Sequence, residues 1–484
     1  MIYIDEAKAI KYKHMKLRNI YIPLTASLIS AGLLMSCGDS FTDLSPISQR
    51  NVNLFYNNAG DMNTAINAAY KTLQLNGTYN QSYWITQEMR SDNTDQGPDG
   101  TGLGADLTVI ENFQENSTSE LVTLAYTDSY LGIARSNIVL SRIDGVEIPE
   151  ADRERIRGEA LFLRSLYFYN LTIAFGNIPM PLTEAKSVEE GKALPQVPAA
   201  DVYKQLIPDL IKAESGLLLK YGSADIGRAT KGAAATLLAK VYLAAGDKKS
   251  AETVLRRIIA NYGYSLLPNY ASLWGLTNKN NAESIFEVQF KGGATGTGNA
   301  FTNAFSPTLK HSTGAYKNRP TNDLIKAFET GDDRFLKSMD TSYVNTQGVL
   351  VTNSKNDVRY ITKFGKENAF EETDASYNFM VFRYADVLLM LAEALGEGTE
   401  AYALINQVRA RAKLAPISAA TPGTFNSKLL HERRVELAFE NHRWADLLRF
   451  GVAKETMLAL GKTIRPLFLI PQRELDINKS YKQN

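Results

Sequence analysis

Between residues 153 and 413 the chain repeats one local pattern, a helical run, a glycine-marked break and a second helical run, and this restricts the architectures open to it. In 153–175, Ile156, Ala160, Leu163, Tyr167, Leu171 and Ala174 recur at spacings of three or four and so share one face. Gly176 stops that helix, and Pro179 and Pro181 prevent its resumption. Residues 228–245 are rich in alanine, close at Gly246-Asp247 and are followed by a helical run at 249–261. Small residues on the first of these helices let the second pack close. A further pair occupies 383–395 and 400–413, and another is expected from 57–75 and 119–143, separated by a long insertion.

An alanine-rich first helix, a tight turn and an amphipathic second helix make the tetratricopeptide plan, in which stacked pairs bury a shared face. The expected fold is therefore mostly α, a tetratricopeptide-like helical-repeat scaffold of about four helix pairs. Its helices are placed near 57–75, 119–143, 153–175, 200–261, 383–413 and 427–450. Long irregular insertions with short strands fall at 76–118 and 262–380, where Gly, Asn, Thr and Tyr interrupt strand-like runs such as SIFEVQF and VRYITKF. Insertions on a helical repeat scaffold map to one face, and that face often carries the ligand.

The single cysteine, Cys37, ends an apolar run (Ile20 to Met35, interrupted by Pro23) that follows Lys16 and Arg18, and Leu34-Met35-Ser36-Cys37 reads as a lipoprotein cleavage site. Residues 1–36 are expected to be a signal peptide, with Met15 as an alternative start because Asp5 and Glu6 are out of place in a leader. Cys37 would then carry lipid, 37–54 would be a flexible tether and 55–484 a single folded domain. The alternative is a buried N-terminal helix. One lipidated thiol leaves none for a disulfide, a zinc cluster or a nucleophile. Removing the five basic and two acidic residues of 1–36 from totals of 53 and 52 leaves 48 against 50, which argues against a nucleic-acid partner. Tyrosine is abundant, 24 beside 20 phenylalanines, and suits wet binding surfaces.

The segments GEALFLRSLYFYNLTIAFGNIPMPL (158–182), VPAADVYKQLIPDLIKAE (197–214), GRATKGAAATLLAKVYLAAGD (227–247), NAESIFEVQF (281–290), RYADVLLMLAEAL (383–395), LLHERRVELAFENHRWADLLRFG (429–451) and LFLIPQRELDIN (467–478) follow one another behind the lipidation site. In order and spacing they resemble the SusD-like (RagB/SusD) outer-membrane lipoproteins. The resemblance implies a cell-surface protein with four tetratricopeptide-like helix pairs. It implies capture of nutrients, most often oligosaccharides, and delivery to a SusC-like TonB-dependent transporter in the outer membrane, with no bond broken and no cofactor.

Sugars are recognised by flat aromatic rings combined with a few amides, carboxylates or guanidinium groups. Tyr79, Tyr83 and Trp84, followed by Glu88, Arg90, Asp92, Asn93 and Asp95, supply both kinds, so Tyr79, Tyr83, Trp84, Asp92 and Asn93 are candidate ligand contacts. The competing reading is that Tyr83 and Trp84 start a helix and pack inward while Asp92 and Asn93 cap its end. In the Gly/Thr/Asn-rich stretch 292–320 the candidates are Tyr316 and Arg319, set against simple loop packing. Trp274 and Trp444 are expected in the core. Motifs for catalysis fail: His431-Glu432 lacks the second histidine, since position 435 is Val435, and Gly461-Lys462-Thr463 lacks the earlier glycine, since position 456 is Thr456. The glycines at 100, 102 and 104 read as a loop, and the paired acids Asp332-Asp333 and Glu371-Glu372 as solvated surface. No metal site is expected. Peptide cargo on the same scaffold and a surface glycoside hydrolase are the alternative functions.

Overall fold

The computed structural model describes residues 56–97, 103–307, 314–352, 357–365 and 374–484. Cys37, the 1–36 leader and the 37–54 tether lie outside the described residues. Eight helices form a consecutive stack: α1 (Ala59–Thr72), α2 (Glu120–Arg142), α3 (Glu150–Phe175), α4 (Ala199–Gly216), α5 (Lys231–Ala244), α6 (Lys248–Asn261), α7 (Tyr384–Leu395) and α8 (Thr399–Arg411). Each packs on the next, so the described residues hold four helix pairs, the mostly helical repeat scaffold that the sequence periodicity leads to. Two further helices, α9 (Phe425–Glu436) and α10 (Arg443–Arg449), continue the chain, and α9 packs on α7 and α8.

Local chemistry sets the helix starts. Asn58, Thr230 and Asp247 each accept a hydrogen bond from a backbone N–H in the first turn, at Asp61, Ala233 and Ser250, which satisfies one of the donors a helix start leaves open. Alanine on α5 buries Ala233, Ala234, Ala235 and Ala239 completely, so α4 and α6 approach its backbone from either side. Gly132 does the same for α2: a Cβ there would lie 2.3 Å from the Tyr167 ring of α3. Burial of each large side chain along the stack, such as Leu238 or Leu255, contributes about 1.5–3 kcal/mol. No helix among the described residues is long and apolar enough to cross a membrane.

The chain leaves this stack after α6 and returns at α7. Strand Ser284–Val288 carries it out, and the antiparallel strand Phe379–Arg383 brings it back, ending where α7 begins. What anchors the excursion is buried charge. Arg383 donates to Glu440 at 2.6 Å, Glu283 at 2.9 Å, the Glu436 carboxylate at 2.5 Å and the Glu436 carbonyl at 2.7 Å. Arg334 reaches Asp332, Glu432 and Glu436, and Arg411 reaches Glu283 and Glu436. Lys363 donates to the Ala438 carbonyl at 2.7 Å and to Glu440 at 2.5 Å. Every one of these side chains is buried. Strand, loop and helix are thus joined through groups a hundred residues apart in sequence.

Candidate functional site

The segment 79–97 does two different things. Its first half is core. A short helix, Ser82–Gln87, turns Trp84 inward, where it is 1% exposed and meets Phe305 edge-on at 5.2 Å. Tyr79 is equally buried, packs against Tyr83 at 4.5 Å and Phe379 at 5.5 Å, and accepts a hydrogen bond from Asn170 at 3.0 Å. Tyr83 is half-buried against the same rings. The Trp84, Ile85 and Met89 side chains form an inward apolar surface, and burial takes the Tyr79 and Trp84 rings out of reach of a ligand, while Tyr83 keeps part of its surface exposed.

Its second half is held by arginines from the far end of the chain. Arg443 grips Asp92 through two 2.7 Å bonds, and Arg434 adds a third contact at 3.1 Å. Asn93 donates to Glu88 at 2.9 Å and accepts from Arg434 at 2.9 Å. Glu88 also accepts from the backbone N–H groups of Phe439 at 3.1 Å and Asn441 at 3.2 Å, and burial pushes its carboxyl up to about 7. Ligand contact by Tyr79, Trp84, Asp92 and Asn93 is therefore corrected to a supporting role: these side chains are buried, and the polar atoms of Tyr79, Asp92 and Asn93 are engaged inside the protein. The partners of Asp92 lie about 350 positions away, so local reading of the sequence had no means of pairing it.

What this support presents at the surface is Asp95. Strand Thr94–Asp95 pairs antiparallel with Arg319–Pro320, setting Asp95 opposite Arg319. Arg319 donates to Asp95 at 3.0 and 3.2 Å and reaches Asp357 at 3.4 Å. Arg359 donates to Asp357 at 2.8 and 2.9 Å and to Asp95 at 2.8 Å. Four charges thus alternate around a closed ring whose guanidinium groups are buried, while the Asp95 and Asp357 side chains are 24% and 53% exposed. The Arg359 guanidinium beside Asp357 holds that carboxyl below its usual range. Burial alone would lower the Arg359 pKa, but its two carboxylate partners raise it.

Tyr316 completes the cluster. Its hydroxyl donates to the Asp357 carbonyl at 3.1 Å and accepts from the Arg359 N–H at 3.1 Å, while the Arg319 guanidinium lies 5.2 Å from its ring centroid. Tyr343, Val358 and Tyr360 pack beneath it. Gly97, at φ +80°, passes so close that a Cβ would overlap the Arg319 guanidinium at 2.1 Å, so only glycine fits there. Of the seven candidate ligand contacts, the structure brings Tyr316 and Arg319 together and adds Asp95, Asp357 and Arg359. Arg359 sits in the strand-like run VRYITKF, and the alternation of charge with apolar residues there was the available signal. Trp444 is buried beside Phe113, and Trp274 is half-buried against Tyr270 and Phe364. Among the described residues no cluster of His, Cys, Asp and Glu is arranged to hold a metal ion.

A family model described as the SusD family matches residues 352–484, and a second, described as starch-binding associating with outer membrane, matches residues 40–243. SusD-like protein P2 of Formosa agariphila is 25% identical to this chain, over 93% of it and 94% of that protein. SusD-like protein P38 of the same organism is 27% identical over 97% of this chain and 99% of its own length. Among solved structures, a laminarin binding SusD-like protein shares 29% identity and superposes with a TM-score of 0.78, covering 89% of this chain and 99% of that one. Matches at both ends of the chain, relatives aligned along almost its whole length and a shared helical scaffold lead to one conclusion: the chain belongs to the SusD family.

Proposed function

We propose that this protein is a glycan-binding lipoprotein of the outer membrane, held there by lipid on Cys37, which captures oligosaccharide and passes it to a SusC-like TonB-dependent transporter without breaking a bond. The observation that carries the reading is the Asp95–Arg319–Asp357–Arg359 ring with Tyr316 at its edge. It offers a tyrosine ring, two part-exposed carboxylates and two fixed guanidinium groups in one place, the combination that takes a sugar's C–H face and its hydroxyls. The laminarin binding protein of the same fold and the starch-binding description of the matched family model support the choice of glycan.

The same geometry speaks against hydrolysis at this ring. A glycosidase needs one carboxylic acid that keeps its proton near neutral pH, whereas Asp357 is held ionised by Arg359. Tyr316 and Asp357 are assigned to the ligand, and Arg319 and Arg359 to holding the carboxylates in place. Calorimetric titration of the mature chain with a broad panel of neutral oligosaccharides tests the reading. Binding of at least one, weakened about tenfold or more in Tyr316→Ala, is the expected result; a chain that ignores the whole panel refutes it. Incorporation of labelled palmitate, lost in Cys37→Ser, tests the anchor.

A further inference from the structure

A cavity of about 510 Å³ opens between α2, the segment from Pro179 to Leu194 and the C-terminal stretch from Arg473 to Tyr481. It shares no residue with the Asp95–Asp357 ring. Tyr126 and Tyr130, one turn apart on α2, line it with ring centroids 4.7 Å apart, and Tyr481 lines it from the C-terminal stretch. The facing wall is fixed: Tyr130 donates to the Pro179 carbonyl at 2.6 Å, and Asn137 donates to the Pro181 carbonyl at 2.9 Å.

Two carboxylates line the cavity, and they differ. Glu184 is fully engaged by Arg142, through bonds of 2.8 and 2.6 Å. The Glu474 carboxylate is only 20% exposed, yet its cationic neighbour is Arg473 at 3.8 Å, a side chain that is 68% exposed. Among the described residues no hydrogen bond reaches the Glu474 carboxylate. Burial raises its pKa and is also the main cause that raises the phenols of Tyr126, Tyr130 and Tyr481, to which the Glu474 charge adds; all four side chains line the one cavity. A partly desolvated carboxylate without a close partner gains most from a ligand that brings a full positive charge, and aromatic walls favour the same charge through their ring faces.

We propose that this cavity binds a small organic ammonium, a protonated amine carried on a body of sugar size, with Glu474 as its counter-ion and Tyr126, Tyr130 and Tyr481 as its walls. Neutral hydroxyl groups could fill the space but would leave the carboxylate unneutralised, so the site discriminates an amine from its acetylated form. The inference is independent of the glycan reading of the first site. The mature chain is titrated calorimetrically at about pH 6, where the amine is protonated, with a glucosamine trimer and with its fully N-acetylated counterpart. The free amine is expected to bind at least tenfold tighter, and that preference is expected to disappear in Glu474→Gln. A second readout uses the unaltered protein: the preference shrinks as salt rises from roughly 0.05 to 0.5 M. Binding of neither trimer, equal binding of both, a preference that survives in Glu474→Gln, or one indifferent to salt would overturn the proposal.

Discussion

The interior of the helix stack around α5 and the charged seam around Arg383 are both buried, yet they hold together by different physics. In the stack, alanine and leucine side chains meet neighbours that are close in sequence, and each contact is replaceable by another of similar volume. In the seam, Arg383, Arg334 and Arg411 meet Glu283, Glu432, Glu436 and Glu440, and no member can be lost without stranding a charge. The stack makes a scaffold from local pattern; the seam ties the insertion carrying the site to that scaffold. Apolar burial tolerates substitution in a way that a closed ion network does not.

The largest expected effect falls on the seam. Arg383→Ala leaves Glu283, Glu436 and Glu440 short of a partner and should cost about 3–5 kcal/mol in urea unfolding. A loss below about 1 kcal/mol would erase the contrast. In the stack, Leu238→Ala should cost about 2–4 kcal/mol, because a cavity is created but no charge is stranded. The two variants should also part in how they respond to acid. Glu436 is held far below its ordinary value: burial alone would raise it, but Arg411, Arg383 and Arg334 outweigh that. Its stabilisation is present above the unfolded value of about 4.3 and is lost as pH falls through the depressed folded value. Stability should therefore drop steeply below about pH 4 in the parent and in Leu238→Ala, and much less steeply in Arg383→Ala.

Glu88 has the opposite sign. Burial raises its folded pKa to about 7, so its contribution is complete below the unfolded value and fades as pH rises through 7. Unfolding free energy should decline between about pH 4 and 7, and Glu88→Gln should flatten that decline; an unchanged slope would show that Glu88 is not the group responsible. The smallest effect belongs to the surface. Tyr316 is half-buried and packs at the edge of a small cluster, so Tyr316→Ala should change stability by less than about 1 kcal/mol while weakening glycan binding. A larger loss of stability would make its role structural.

Much of the scaffold was legible because helix pairs write themselves locally. The run Ile156 to Ala174, the alanines of α5 and the breaks at Gly176 and Gly246 each need only a few neighbouring residues to be read. The 200–261 block resolves into α4, α5 and α6, the first break falling at 217–230. The site was legible only in part. Tyr316 and Arg319 could be picked from a loop of binding composition, whereas Asp357 and Arg359 could not be joined to Asp95, more than 260 positions earlier, without the antiparallel pairing of Thr94–Asp95 with Arg319–Pro320. Trp84 and Tyr79 show the converse error: an aromatic beside acidic residues looks like a sugar platform until the fold shows which way the ring points.

The sequence by itself determined where helices start and stop, which faces are apolar and that irregular chain interrupts the first helix pair at 76–118 and precedes the last at 262–380, because spacing and capping act over a single turn. Only the tertiary structure decided which charges meet. Attraction between a carboxylate and a guanidinium depends on distance and burial, and both are properties of the folded chain: the same aspartate type becomes a buried rivet at Asp92 and a half-exposed edge at Asp357.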